Sequence, residues 1–248
     1  MKSFSTLHYI FLISSLIFIL LTMFIVSKLK RRGQNIMFLI GTLCCSLGIF
    51  YRYGMGLSLE GKINIITLCK ELLQVCSFNF ILLPLMLIPK FEIARQYSFF
   101  FSMFAASTTL FSVSKVYADM NWYDISFLNS WINHLFAIAV PLWMLAARRL
   151  KPQMKYIPHV TISVILYFTV VAIISSDLMN KGIITVKTSY SFIYNTMGIG
   201  ILDYFYKLIP YPYFYLYPLI PMMIVFFIVL AKLFDRYEVV PYGYKKQK

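Results

Sequence analysis

The chain has 248 residues, 60% of them hydrophobic and 13% charged, with a formal net charge of +14 and a mean hydropathy of +0.75. Soluble domains are about half apolar and about a quarter charged, so this composition excludes a soluble globular protein and indicates a polytopic membrane protein. The positive charge sits in short runs beside apolar stretches, as KLKRR at 28–32 and ARRLKPQMK at 147–155. That placement is the mark of membrane topology and not of nucleic-acid binding; the partners it implies are membrane lipids.

The first apolar run, 9–26, carries no charge and ends at KLKRR. It is longer than the apolar region of a signal peptide and lacks a small-residue cleavage pattern, so it is expected to span. Six further spans are expected at about 35–53, 65–88, 97–117, 128–147, 156–176 and 211–234. The expected fold is therefore all-α, a seven-helix bundle forming one integral membrane domain over 1–248, multi-pass in the cell membrane. Pro84, Pro141, Pro158, Pro218 and Pro221 fall within these spans, where they kink helices and free backbone groups that need partners inside the bundle.

Orientation follows from the Lys and Arg count. The loops after spans 1, 3, 5 and 7 hold 15, counting charges at span ends with the adjoining loop. The N-terminal tail and the loops after spans 2, 4 and 6 hold 7, and Lys70 lies inside span 3. The richer set is expected on the cytoplasmic side, with the N-terminus outside and the C-terminus inside. The segment YPYFYLYP, 211–218, reads either as an interfacial aromatic belt or as a stacking surface for a lipid headgroup.

The four cysteines, Cys44, Cys45, Cys69 and Cys76, all lie in apolar runs without a CxxC spacing, which indicates neither a zinc site nor a disulfide framework. His8, His134 and His159 are scattered and form no metal spacing, and no cofactor is expected. Polar residues inside spans are costly and are the first functional candidates. Span 5 carries Asn129, Ser130, Asn133 and His134 at spacings that put them on one stripe facing the bundle interior. Interhelical hydrogen bonding would explain the stripe as well as chemistry does. Span 3 carries Lys70, Glu71, Gln74, Cys76, Ser77 and Asn79. On a continuous helix Lys70, Gln74 and Ser77 share a stripe that Cys76 flanks. Lys70 and Glu71 are expected near the outer headgroup level, where long side chains snorkel.

A cysteine in a span is most simply a small packing residue. It becomes a nucleophile only beside a base such as histidine. Spans 3 and 5 run in the same direction, and Cys76 and His134 lie at depths differing by about 7–8 Å at 1.5 Å per residue. The two are expected to face a shared cavity, with Gln74, Asn79 and Asn133 lining it or stabilising an oxyanion.

These residues also carry a family resemblance. LQVCSFNFILLPLML is similar to the LHLCS-type third helix of the YwaF-like integral membrane proteins. NSWINHLFAIAVPLWML with the following RRLKP, and ILDYFYKLIPYPYFYLYPLIPMMIVFFIVL at the end, resemble that family's histidine helix and its LLDFLGPWPWY segment with the last helix. The resemblance covers about 65–234. It implies eukaryotic relatives that remodel ether phospholipids by acyl transfer with a membrane-embedded Cys and His, which fall on Cys76 and His134. The family pattern has a His two residues before the Cys, where Gln74 stands here. The function expected is thus acyl transfer on phospholipids; the alternative is a small-molecule transporter or membrane substrate-binding subunit, argued from the Lys70, Glu71, Gln74 and Ser77 stripe and the kinked helices, with no repeated halves in its favour.

Overall fold

The computed structural model describes residues 5–60, 72–111, 121–186, 190–236 and 239. Among them there is no strand. The helices are α1 (Thr6–Lys28), α2 (Arg31–Glu60), α3 (Val75–Met86), α4 (Glu92–Tyr97), α5 (Met103–Phe111), α6 (Ile125–Ala146), α7 (Ile157–Asn180), α8 (Gly200–Leu208) and α9 (Leu219–Leu233). A π-helical segment, Ser98–Ser102, joins α4 to α5, and short 3₁₀ turns precede α7 and α9. Four stretches are long and apolar enough to cross a membrane: Thr6–Lys28, Ile125–Ala146, Met154–Asn180 and Phe214–Leu233.

α6 is the hub of the bundle, packed against α1, α2, α3, α5 and the π segment. Its hold on α1 is a ladder of indole and hydroxyl groups. Trp131 Nε1 donates to Ser15 Oγ at 3.0 Å, and Trp143 Nε1 donates to Thr22 Oγ1 at 2.8 Å. One turn pair earlier on α1, His8 Nε2 donates to the Leu110 carbonyl of α5 at 2.7 Å. His8, Ser15 and Thr22 are all buried and recur every seven residues, so they share one face of an otherwise apolar helix. Lipid tails are as apolar as leucine, so such hydrogen bonds, and not an apolar stripe, select the packing face.

α2 crosses α6 closely at Gly41. A Cβ there would lie 2.6 Å from Val140 Cγ2 and 2.7 Å from Trp143 Cζ3. Further along the same contact, Asn133 Nδ2 donates to the Cys45 carbonyl at 2.8 Å.

Span 3 differs from the expected continuous helix. Leu72 and Leu73 are helical, Gln74 is extended with φ −89° and ψ 116°, and α3 starts afresh at Val75. The break invalidates the helical wheel drawn through 70–79. Lys70 and Glu71, with Cys69, lie outside the described residues, and so does the expectation of their depth. The expected span 97–117 is helical from Glu92 to Phe111, with the π segment inside it. The connection 177–210 contributes the short amphipathic helix α8, which buries Leu202 and Phe205.

At one end of the bundle the start of α2, the helix α4, the segment after α6 and the residues after α9 come together. Arg149 Nε donates to Gln34 Oε1 at 3.1 Å, Gln96 Nε2 donates to the Lys151 carbonyl at 2.8 Å, and Lys151 lies 3.8 Å from the Asp235 carboxylate.

Candidate functional site

The first turn of α3 forms where the chain restarts. Cys76 is the second residue of α3, in the turn whose N–H groups have no acceptor inside their own helix. Ser77 N and Phe78 N both donate to the Gln74 carbonyl, at 2.9 and 3.0 Å.

The break is held by a residue that sequence reasoning missed. Ser191 Oγ accepts from Val75 N at 2.8 Å and donates to the Leu73 carbonyl. Ser191 N donates to Gln74 Oε1 at 3.0 Å. One fully buried serine thus satisfies groups on both sides of the interruption. Ser191 and Phe192 adopt left-handed backbone angles, φ 51° and 64°, which side-chain-bearing residues adopt at a cost of about 1–3 kcal/mol each. The aromatic segment keeps this loop in place: Tyr213 N donates to the Ile193 carbonyl at 2.9 Å, and Tyr215 Oη donates to the Phe192 carbonyl. Tyr215 is buried, whereas Tyr211, Phe214 and Tyr217 are exposed, so half of YPYFYLYP faces outward and half clamps the loop.

Cys76 and His134 line one small cavity together with Asn79, Tyr97, Phe101 and Ser102. Its space for a water-sized sphere is about 10 Å³, room for one water at most. His134 Nδ1 lies 2.6 Å from the Ser130 carbonyl. A carbonyl only accepts, so Nδ1 carries the proton and Nε2 presents its lone pair. Nε2 is buried without a hydrogen-bond partner among the described residues, and the Cys76 thiol lines the same cavity. Ser102 Oγ donates to Asn79 Oδ1 at 2.8 Å, which fixes the Asn79 amide at the wall. The π segment makes this possible: its wide turn is buried from Ser98 through Ser102, so it delivers Ser102 and Phe101 to the same side.

Two residues expected to line the cavity do not. Asn133 turns to the Cys45 backbone, and Gln74 turns to Ser191. Both act on helix placement. A larger apolar cavity of about 100 Å³ adjoins the first, and Val75, Cys76, Phe101 and Ala105 line both. Cys76 therefore stands between a greasy chamber and an imidazole base. Among the described residues no group of His, Cys, Asp and Glu has the arrangement of a metal site.

Comparison with curated proteins and with solved structures found no match. A family model does match: the chain, over residues 3–231, belongs to the TMEM164 family, a family of membrane proteins.

Proposed function

We propose that the protein is a multi-pass enzyme of the cell membrane that transfers acyl chains between phospholipids, with Cys76 as nucleophile and His134 as general base and acid. The observation that carries this reading is the unpartnered, buried His134 Nε2 beside Cys76 in one cavity, with an apolar chamber opening from the same cysteine. A buried imidazole nitrogen left without a partner costs about 1–3 kcal/mol, and a reacting thiol gives that cost a use. The resemblance to YwaF-like proteins, whose eukaryotic relatives are implied to remodel ether phospholipids, points to the same pair.

In the first half-reaction Cys76 Sγ attacks the carbonyl carbon of a lipid ester while its proton passes to His134 Nε2. The ester C–O bond then breaks, the leaving oxygen takes that proton from His134, and the acyl chain stays on Cys76 as a thioester in the apolar chamber. In the second half the hydroxyl of a lysophospholipid gives its proton to Nε2 and attacks the thioester. The C–S bond breaks and the thiolate recovers the proton. The Asn79 amide, in the cavity wall, is assigned the stabilisation of the developing oxyanion, and the N-terminus of α3 favours its charge.

The chain is further proposed to be one membrane domain over 1–248 that crosses seven times, N-terminus outside and C-terminus inside. Support comes from the end of the bundle where Gln34, Gln96, Lys151 and Asp235 meet, since all four belong to the basic-rich segments that alternation puts on one side.

The test is transfer of a labelled acyl chain from a phospholipid to a lysophospholipid by the purified full-length protein. Cys76→Ala abolishes transfer and a hydroxylamine-labile acyl adduct on the protein. Undiminished transfer by Cys76→Ala overturns the reading. Facilitated solute flux that survives Cys76→Ala, with no transfer by the unchanged protein, would instead identify a transporter.

A further inference from the structure

At the end of the bundle away from Cys76 lies a third cavity, of about 250 Å³. Leu87, in its wall, is eleven residues beyond Cys76 along α3, about 16 Å at 1.5 Å per residue, so the two sites are separate. Three arginines from three elements line it: Arg31 from the start of α2, Arg95 from α4 and Arg149 from the turn after α6. None of the described lining residues is acidic.

The guanidiniums are held in place by groups around them. Arg149 donates from Nε to Gln34 Oε1 and from Nη2 to the Arg31 carbonyl, both at 3.1 Å, and from Nη1 to Asn35 Oδ1; it also lies 5.3 Å over the Phe38 ring. Arg95 pairs with Glu92 at 2.8 Å and donates to the Arg149 carbonyl, while its Nε is buried with no hydrogen-bond partner. The buried Arg95 Nε is a donor that an oxyanion bound in this cavity would satisfy. The planar fork of arginine matches the oxygens of carboxylate and phosphate, and three arginines around one cavity suit the more highly charged phosphate. Phe38, Leu87 and Met144 supply apolar lining to the same cavity.

We propose that this cavity is a binding site for the phosphate group of an amphipathic ligand, held by Arg31, Arg95 and Arg149, with its hydrocarbon portion against Phe38 and Leu87. The phosphate is carried by a membrane lipid or by a soluble phosphate ester. The site does not depend on the acyl-transfer reading, and its test reads binding alone.

The experiment measures thermal stabilisation of the full-length protein in neutral detergent by phosphatidic acid, by phosphatidylcholine of the same chains, and by glycerol 3-phosphate. Phosphatidic acid stabilises the protein and phosphatidylcholine does so far less. Stabilisation by phosphatidic acid without glycerol 3-phosphate assigns a lipid source; comparable stabilisation by both assigns a soluble ester. Arg31→Gln, at an exposed position, weakens the effect about tenfold or more, the loss expected for one charge-assisted contact. Arg149→Gln does the same, whereas Lys155→Gln, outside the cavity, leaves it unchanged. Equal stabilisation by both phospholipids, an unaltered response in both arginine variants, or equal weakening by Lys155→Gln overturns the proposal and leaves the arginines as markers of topology.

Discussion

His134 is the residue on which the proposed acyl transfer turns, because one hydrogen bond decides what its ring can do. The Ser130 carbonyl takes the Nδ1 proton, and this leaves Nε2 as a base inside the cavity that Cys76 also lines. A lipid-soluble maleimide should therefore label Cys76 faster than Cys44 or Cys45, and His134→Ala should slow that labelling and lower acyl transfer about 100- to 10,000-fold. Labelling of Cys76 at the rate of Cys45, which is fully buried, would return it to the packing residues. Ser191 acts on the same site through the backbone. Ser191→Gly removes the hydroxyl while easing the left-handed angle, so a defect in it is not one of strain. It should slow labelling of Cys76 about tenfold, since Val75 N and the Leu73 carbonyl lose their partner and the first turn of α3 loosens. Unchanged labelling in both Ser191→Gly and Ser191→Ala would remove Ser191 from any positioning role.

Among the elements, α6 does two jobs with two faces. One face carries His134 to the cavity, and the others carry the tryptophans to α1 and the close crossing to α2. The crossing has no slack, because Val140 and the buried Trp143 ring occupy the place of a Cβ at Gly41, and Trp143 is tied to Thr22. Gly41→Val should cost about 1–3 kcal/mol by overpacking and lower the detergent melting temperature, with Gly41→Ala intermediate. A melting temperature equal to that of the unchanged protein would mean that the helices part at no cost. The π segment is the other element with a specific task. Without its extra residue per turn, Ser102 would rotate off the wall that it shares with Asn79.

For the whole molecule, the alternation of basic and weakly charged connections sets the orientation proposed. A reporter fused after Lys248 that works only in the cytoplasm should be active, and its counterpart that works only outside should be silent. The reverse pattern would invert the topology. It would also place the arginine cavity on the outer surface.

Membrane residence and an all-helical fold were decided by composition alone, since only helices bury their own backbone hydrogen bonds over such apolar runs. The packing face of α1 was not legible, because Ser14 stands beside Ser15 in the apolar run and only the fold decides which of them is buried. Cys76 and His134 were visible as rare polar groups in spans, but a depth difference of about 7–8 Å left their meeting to helix packing. The interruption at Gln74 was not visible, because its cause lies 117 residues away: Ser191 supplies the hydrogen bonds that a continuous helix would have made. Gln74 and Asn133 looked like cavity residues for the same reason. Sequence places a polar side chain on a helix, but which neighbour accepts its hydrogen bond depends on tertiary contacts that no local pattern encodes. The gathering of Arg31, Arg95 and Arg149 around one cavity belongs to that class too, for charges that sequence reads as flanks of separate spans become one site only when the helix ends meet.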